Sequence, residues 1–324
     1  MVVVKSTVVP GTSENTVKPI LTQYSERVCG LDFGLCANPE FLREGSAIDD
    51  ILNTNRIIIG EYDKKSGDAL SSLYADFYKY PVDVIKTNLS NAEIIKYANN
   101  SFLATKISYI NTIADICEQI PGADITTIAM AIGLDHRISP HYLRAGLGYG
   151  GSCLPKDLAA LSLFSKTCGC NSNLLESIIS VNENRSIRAV QMIKGLIGNL
   201  LGKRIAILGL SFKPNTDDIR DAVSVKIIKK LICEGAKVTV YDPMALRNAK
   251  EIFSDLITYT YSISECLKDA DCCVIVTEWD EFKLLKPEDL LSQMRSAALV
   301  DGRRITDPKL FRDKIKYAAI GLGP

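Results

Sequence analysis

The strongest constraint in this 324-residue chain is one uninterrupted helical pattern in its first third. Ile95, Ala98, Phe102, Ile107 and Ile110 recur at helical spacing. Ser90-Asn91-Ala92-Glu93 in front of them has the Ser-x-x-Glu form of a capping box, and nothing stops the pattern before Pro121-Gly122. A helix of roughly 28 residues is about 40 Å long. That length suits a spine that connects folded parts better than a helix lying on one surface. Three parts follow from it: 1–89, 90–200 and 201–324.

Beyond the spine, helices are expected over 125–132, 156–168 and 174–196. From 204 onward short apolar runs alternate with helical stretches. Strands are expected at 204–209, 238–242, 272–277, 298–301 and 317–320, with a helix over 223–234 that ends at Gly235. Strands alternating with helices specify a parallel sheet. Asp242, at the tip of the second strand, fits a ribose contact and a turn aspartate before Pro243 equally well. Ahead of the spine, 56–60 and 81–85 read as strands and 68–80 as a helix, so this part is α/β as well. Val2-Val3-Val4 reads as a buried strand with no partner in the sequence before it.

Charge and cysteine usage exclude several classes. Lys+Arg and Asp+Glu number 38 each, so no net field draws the chain to nucleic acid. No apolar run approaches the roughly 18 residues that span a bilayer. No basic region with a cleavage site marks a signal peptide. A cytoplasmic chain with no membrane partner is expected. Ten cysteines in so long a chain do not make a disulfide scaffold. Cys168-x-Cys170 and Cys272-Cys273 lack a second pair at zinc spacing, and neighbours on a strand point to opposite faces, so no metal site is expected.

Chemistry concentrates in Gly148-Tyr149-Gly150-Gly151-Ser152-Cys153-Leu154-Pro155-Lys156-Asp157. Glycines let a backbone approach a ligand closely. A cation beside a thiol favours the nucleophilic thiolate. A carboxylate near both can act as a base on water. On residues alone, Cys153 fits a small buried hydrophobe as well as a nucleophile. Lys96 and Asn100 share one face of the spine, and Asn111 returns close to it; polar residues so placed are either a solvated face or part of a site. In Asn38-Pro39-Glu40-Phe41-Leu42-Arg43-Glu44-Gly45 two carboxylates stand at i and i+4, where they repel each other or simply sit in an acidic helix start.

The cysteine segment resembles the nucleophile loop of the UDP-glucose/GDP-mannose dehydrogenases, and the resemblance extends over nearly the whole chain. Residues 92–104 are similar to that family's spine helix, and 38–45 to a second signature. The resemblance implies a Rossmann-like N-terminal domain, a central helical dimerisation domain and a C-terminal Rossmann-like domain that binds the nucleotide sugar. It implies NAD-dependent oxidation of a nucleotide sugar to its uronate through a cysteine thiohemiacetal and thioester. UDP-glucose is favoured as substrate over GDP-mannose or a UDP-N-acetylhexosamine, and a nucleotide-sugar-binding protein without turnover is the alternative.

Several residue roles come with it. Cys153 is the nucleophile, Lys96 and Asn100 stabilise oxygen that turns negative, and Asp157, Glu40 and Thr7 manage water and protons. The substrate contacts are Phe41, Leu42, Tyr142, Leu143, Gly146, Gly150, Lys213 and Arg303, with Arg137 reaching the substrate of a second subunit in a homodimer. Glu44, Lys156 and Arg220 meet the cofactor; Lys156 otherwise acts on the thiol. In this family Lys5-Ser6-Thr7 lies late in the NAD-binding domain. The first half of that domain and its Gly-x-Gly-x-x-Gly turn are therefore expected to be absent, with NAD bound poorly unless a separate polypeptide supplies that half.

Overall fold

The structure is a computed structural model that describes residues 1–324. It contains two compact units, Met1–Phe102 with Ala160–Ser172, and Leu103–Ala159 with Asn173–Pro324.

The first unit is built on a four-stranded sheet of β1 (Val2–Val4), β2 (Leu35–Ala37), β3 (Arg56–Glu61) and β4 (Asp83–Thr87), in that order. β1 runs parallel to β2, β2 antiparallel to β3, and β3 parallel to β4. β1 finds its partner after it in the chain, where Val2, Val3 and Val4 pair with Leu35, Cys36 and Ala37, and it is half-buried rather than buried as expected. Residues alternate between the faces with period two. Leu35, Ala37 and Ile58 join one apolar layer with Leu89 and Ala92; Cys36, Ile57 and Ile59 join another with Leu70. Two short helices, α1 (Lys18–Ser25) and α2 (Ala47–Leu52), lie in the connections. Parallel strands need a crossover, and α3 (Lys64–Phe77) supplies it between β3 and β4, capped by Asp63, which accepts the Ser66 N–H at 2.9 Å.

The spine is α4 (Leu89–Cys117), 29 residues long. Its cap differs from the reading above. Asn88 Oδ1 accepts the Asn91 N–H at 2.8 Å, and Ser90 is already inside the helix. Glu93 is buried and turns its carboxylate to the backbone N–H groups of Gly11 (2.6 Å) and Ser13 (2.8 Å). Phe102, one of the apolar residues at helical spacing, is 65% exposed.

The second unit takes the rest of α4, α5 (Ile125–Gly133), the first part of α6 (Leu154–Thr167) and α7 (Asn173–Ile197). Arg185 grips Asp115 and Arg188 grips Glu118, so part-buried ion pairs tie α7 to the last turn of α4 and the residue just past it. The sheet holds β5 (Arg204–Leu208), β6 (Lys237–Tyr241), β7 (Thr258–Tyr259), β8 (Cys272–Ile275), β9 (Ala298–Asp301) and β10 (Lys316–Ala319), all parallel. Their order is β10-β9-β8-β5-β6-β7. That is the doubly wound dinucleotide-fold order, with its reversal between β5 and β8. β7 is two residues long and carries no sequence pattern of its own. Cys272 belongs to the apolar cluster on one face of β8 and Cys273 to the cluster on the other.

Asp242 resolves to structure rather than ribose. It is 1% exposed, and its oxygens accept the N–H groups of Leu210 (2.7 Å), Ser211 (3.1 Å), Met244 and Ala245 (both 2.8 Å) and the Trp279 indole N–H (3.1 Å). Asp301, at the tip of β9, similarly collects the N–H groups of Arg303, Ile305 and Thr306. No helix is long and apolar enough to cross a membrane.

Replacing Asp242 by alanine leaves buried donors without an acceptor, and is expected to cost the chain about 3 kcal/mol in urea unfolding. A second test uses pH. Burial works against the charge of Asp124, but the Thr126 N–H and the Arg304 guanidinium, 2.7 Å away, hold its carboxyl below the usual range. A depressed carboxyl adds stability above its unfolded pKa and loses it as pH falls through its folded value. Asp124→Asn should therefore lower the melting temperature at pH 7, and the gap to the parent chain should close below about pH 4.

Candidate active site

In the first unit the site residues hang on the loop that leaves β2. Asn38 is 1% exposed and anchors it: its Nδ2 donates to the Ile58 carbonyl at 2.7 Å, and its Oδ1 accepts from Lys5 Nζ at 2.9 Å and from the Tyr74 hydroxyl. Burial holds the Lys5 ammonium below its usual range, against the pull of Glu40. Residues 39–43 are not helical, so the i,i+4 spacing does not put Glu40 and Glu44 on one helical face. Glu40 instead accepts the Leu42 N–H at 2.5 Å and lies 3.5 Å from Lys96 Nζ. The Phe41 ring lies beneath two cations, with Arg56 at 4.3 Å and Lys96 at 5.2 Å from its centroid. Asn38, Glu40, Phe41 and Arg56 line a cleft of about 290 Å³ that Leu42, Lys5 and Tyr74 also border. Lys96 and Asn100 are both buried, one helical turn apart on α4. Thr7, in an irregular stretch after β1, and Glu44, in a turn, are half-buried in the same unit.

In the second unit the residues before α6 form no strand or helix, and their backbone is held from several elements. Asn111 Oδ1 accepts the Gly146 N–H at 2.8 Å. Asn182 on α7 clamps Tyr149, accepting its N–H at 2.9 Å and donating to its carbonyl at 3.0 Å. Arg303 donates to the Gly148 carbonyl at 3.0 Å, and the Gly151 N–H donates to the Arg220 carbonyl at 2.9 Å. The glycines serve this packing. A Cβ at 150 would lie 2.6 Å from the Asp221 carbonyl oxygen, and one at 148, where φ is +93°, would lie 2.4 Å from Asn182 Oδ1. Gly146, Gly148 and Gly151 do carry the letters of the Gly-x-Gly-x-x-Gly pattern, read above as absent. They follow no strand, however, and protein atoms crowd each position.

Cys153 is exposed and ends this loop. Its carbonyl accepts the Asp157 N–H at 2.9 Å, so it stands as the N-cap of the 14-residue α6, where the positive end of the helix dipole favours an anion. Ser152 Oγ is 3.6 Å from its sulfur. Asp157 is 2% exposed, and Lys156 Nζ, largely in solvent, is 3.1 Å from its carboxylate. Burial pushes the Tyr149 phenol up to about 12 and the Cys266 thiol up to about 12, so neither ionises near neutrality.

The remaining predicted residues of this unit are dispersed over its loops. Arg137 is exposed and pairs with Asp135, whose carboxylate raises its affinity for the proton. Tyr142, at φ +63°, is part-exposed beside buried Leu143. Lys213 lies 5.7 Å over the Phe212 ring, and exposed Arg220 pairs with Asp218. Arg303 is mostly committed inside the protein, donating to the Val276 carbonyl at 2.6 Å besides Gly148. Sequence reasoning missed Asn38, Arg56 and Asn182. Each acts through a contact 15 or more residues away; Asn38 opens the 38–45 segment but no role is read for it there, and the other two sit in no local motif.

Three family models match the chain. The NAD binding domain of the UDP-glucose/GDP-mannose dehydrogenase family matches residues 1–78, the central domain 90–184 and the UDP binding domain 206–308. The first match overturns the expectation that the first half of the NAD-binding domain is absent. The UDP-glucose 6-dehydrogenase TuaD of Bacillus subtilis is 41% identical over 94% of this chain, which spans 65% of that protein's length. The UDP-glucose 6-dehydrogenase AglM of Haloferax volcanii is 41% identical over 94% of the chain, which spans 70% of it. A UDP-glucose dehydrogenase structure from Pyrobaculum islandicum superposes with a TM-score of 0.90 at 36% identity, covering 99% of this chain and 70% of that one.

Of the ten cysteines, Cys153, Cys168, Cys170 and Cys233 are exposed and the other six buried. A native thiol titration with Ellman's reagent should therefore count four, rising to ten in guanidinium. Cys153→Ser should lower the native count by one.

Proposed function

The chain belongs to the UDP-glucose/GDP-mannose dehydrogenase family, and on that premise we propose that it oxidises the C6 alcohol of UDP-glucose to the carboxylate of UDP-glucuronate. The observation that carries this reading is Cys153, an exposed thiol at the positive end of α6, four residues ahead of the buried carboxylate Asp157. UDP-glucose is favoured over other nucleotide sugars because a structure named for UDP-glucose dehydrogenase stands at 36% identity and one named for UDP-D-ManNAc dehydrogenase at 26%.

NAD, when bound, supplies the hydride acceptor, twice per turnover. Exposed Lys156 and Arg220 suit its pyrophosphate, whereas the crowded glycine turn at 146–151 does not. The rest falls to the chain's own groups. The Cys153 thiolate adds to C6 at the aldehyde level, forming a C–S bond and a thiohemiacetal. Loss of the second hydride leaves a thioester. One water adds to it, the C–S bond breaks, and the thiolate is restored as the uronate leaves. Lys96 and Asn100 donate to oxygen that turns negative at C6, a role worth several kcal/mol of barrier in general. Asp157, Glu40 and Thr7 carry the water and its protons. Phe41, Leu42, Tyr142, Leu143, Gly146, Gly150, Lys213 and Arg303 hold or shape the nucleotide-sugar site, and Glu44 serves the cofactor.

A homodimer through α4 belongs to the same reading, with Arg137 reaching the second subunit's substrate. The exposed Phe102, Tyr109 and Ile116 recur every seven residues along one helix, which supports it. A cytoplasmic enzyme is consistent with a chain of balanced charge.

Calorimetric titration of the full chain should show UDP-glucose binding, and NADH should appear at 340 nm once NAD is added. Cys153→Ala should keep the binding and lower kcat by about 10³-fold or more. Lack of UDP-glucose binding by the folded chain would sink the proposal; binding with no NADH would leave a nucleotide-sugar-binding protein.

A further inference from the structure

One residue outside every motif bears on this chemistry, and the inference rests on the dehydrogenase reading above: we propose that Arg56 is a positioning residue that sets the hydrogen-bonding polarity of Asn100 and seats Phe41 under Lys96.

Arg56 opens β3, which runs antiparallel to β2 with Ala37 opposite Gly60. Continuing that register four residues past Ala37 brings Phe41 across from Arg56, and the guanidinium does cover the Phe41 ring at 4.3 Å. The flat guanidinium suits such a ring face, and its edge stays available for hydrogen bonds. One Nη reaches Asn99 Oδ1 on α4 at 2.8 Å; the other holds Asn55 Oδ1 at 3.1 Å. Asn99 Nδ2 in turn donates to Asn100 Oδ1 at 3.2 Å.

The direction of this chain of bonds follows from donor inventory. A guanidinium has donors only, so it can face Asn99 solely through the amide oxygen. That turns the Asn99 nitrogen toward Asn100, which can meet it only with its own oxygen. Asn100 then presents its Nδ2 donors on the opposite edge, the polarity that a developing oxyanion requires. A flipped Asn100 would set an oxygen against negative charge. The same guanidinium seats the Phe41 ring, which lies 5.2 Å from Lys96 Nζ, and the adjacent Glu40 is 3.5 Å from that ammonium. Both proposed donors of the first unit thus depend on one side chain that touches neither of them directly.

The test compares three variants of the full chain. Arg56→Met removes the stack and the donors. Arg56→Lys keeps a donor-only group without the flat fork. Asn99→Asp keeps an acceptor for Arg56 but has no donor for Asn100, and so draws the Asn100 N–H groups the wrong way. For Arg56→Met and Asn99→Asp, kcat for UDP-glucose oxidation should fall about 10- to 100-fold, with KM within about threefold and UDP affinity unchanged. Arg56→Lys should recover part of the loss, and Arg56→Met with Asn99→Asp should be less than additive, because both cut one path. Wild-type kcat in Asn99→Asp would overturn the relay. Parallel losses of UDP affinity, melting temperature and rate in all three would mean that Arg56 is merely structural, which overturns the inference as well. Failure of the parent chain to oxidise UDP-glucose is a different result: the functional reading falls and this inference with it.

Discussion

The loop before α6 has no strand or helix to satisfy its backbone, and the hydrogen bonds that replace one are what the reactive cysteine depends on. Buried N–H and C=O groups must find partners. Here Asn111 takes the Gly146 N–H, Asn182 takes both polar groups of Tyr149, and Arg303 takes the Gly148 carbonyl. Tyr149 and Leu158 then pack with Ile178 of α7 into a small apolar cluster. Cys153 follows directly on this loop, so a lost partner upstream would be felt at the sulfur through backbone geometry rather than through contact.

Charged side chains serve as such partners too. Asp242 and Asp301 are buried at strand tips and accept several backbone N–H groups each, which makes them loop organisers. Arg185 and Arg188 are matched by Asp115 and Glu118. The cysteines divide similarly. Cys272 and Cys273 sit fully buried on opposite faces of β8, where desolvation raises both thiols and keeps them inert. Cys153 is kept in solvent at a helix end instead.

Much of this was legible in residue patterns. The strand over 298–301 coincides with β9 and the helix expected from 223 starts there, at Val223–Cys233, whereas the spine pattern runs to Pro121 and α4 stops at Cys117. Lys96 and Asn100 share a helical face because 3.6-residue periodicity alone puts them there. Local patterns failed where distant groups compete. Ser90 looked like a cap, yet Asn88 caps α4 while Glu93 is drawn to Gly11 and Ser13 some eighty residues away. The acidic pair at 40 and 44 looked helical, yet Pro39 and the anchored Asn38 keep the segment irregular, and Lys96 claims Glu40.

The sequence by itself determined the alternation of strands and helices, the long spine and the cysteine loop. Periodicity, capping chemistry and glycine placement act between near neighbours, so they can be read from near neighbours. Only the tertiary structure decided that the glycines at 148 and 150 make room for Asn182 and Asp221, that Asp242 is saturated, and that Arg56 reaches Phe41 and Asn99. Hydrogen-bond satisfaction and close packing are settled between residues far apart in the chain, and a linear pattern does not say which of them will meet.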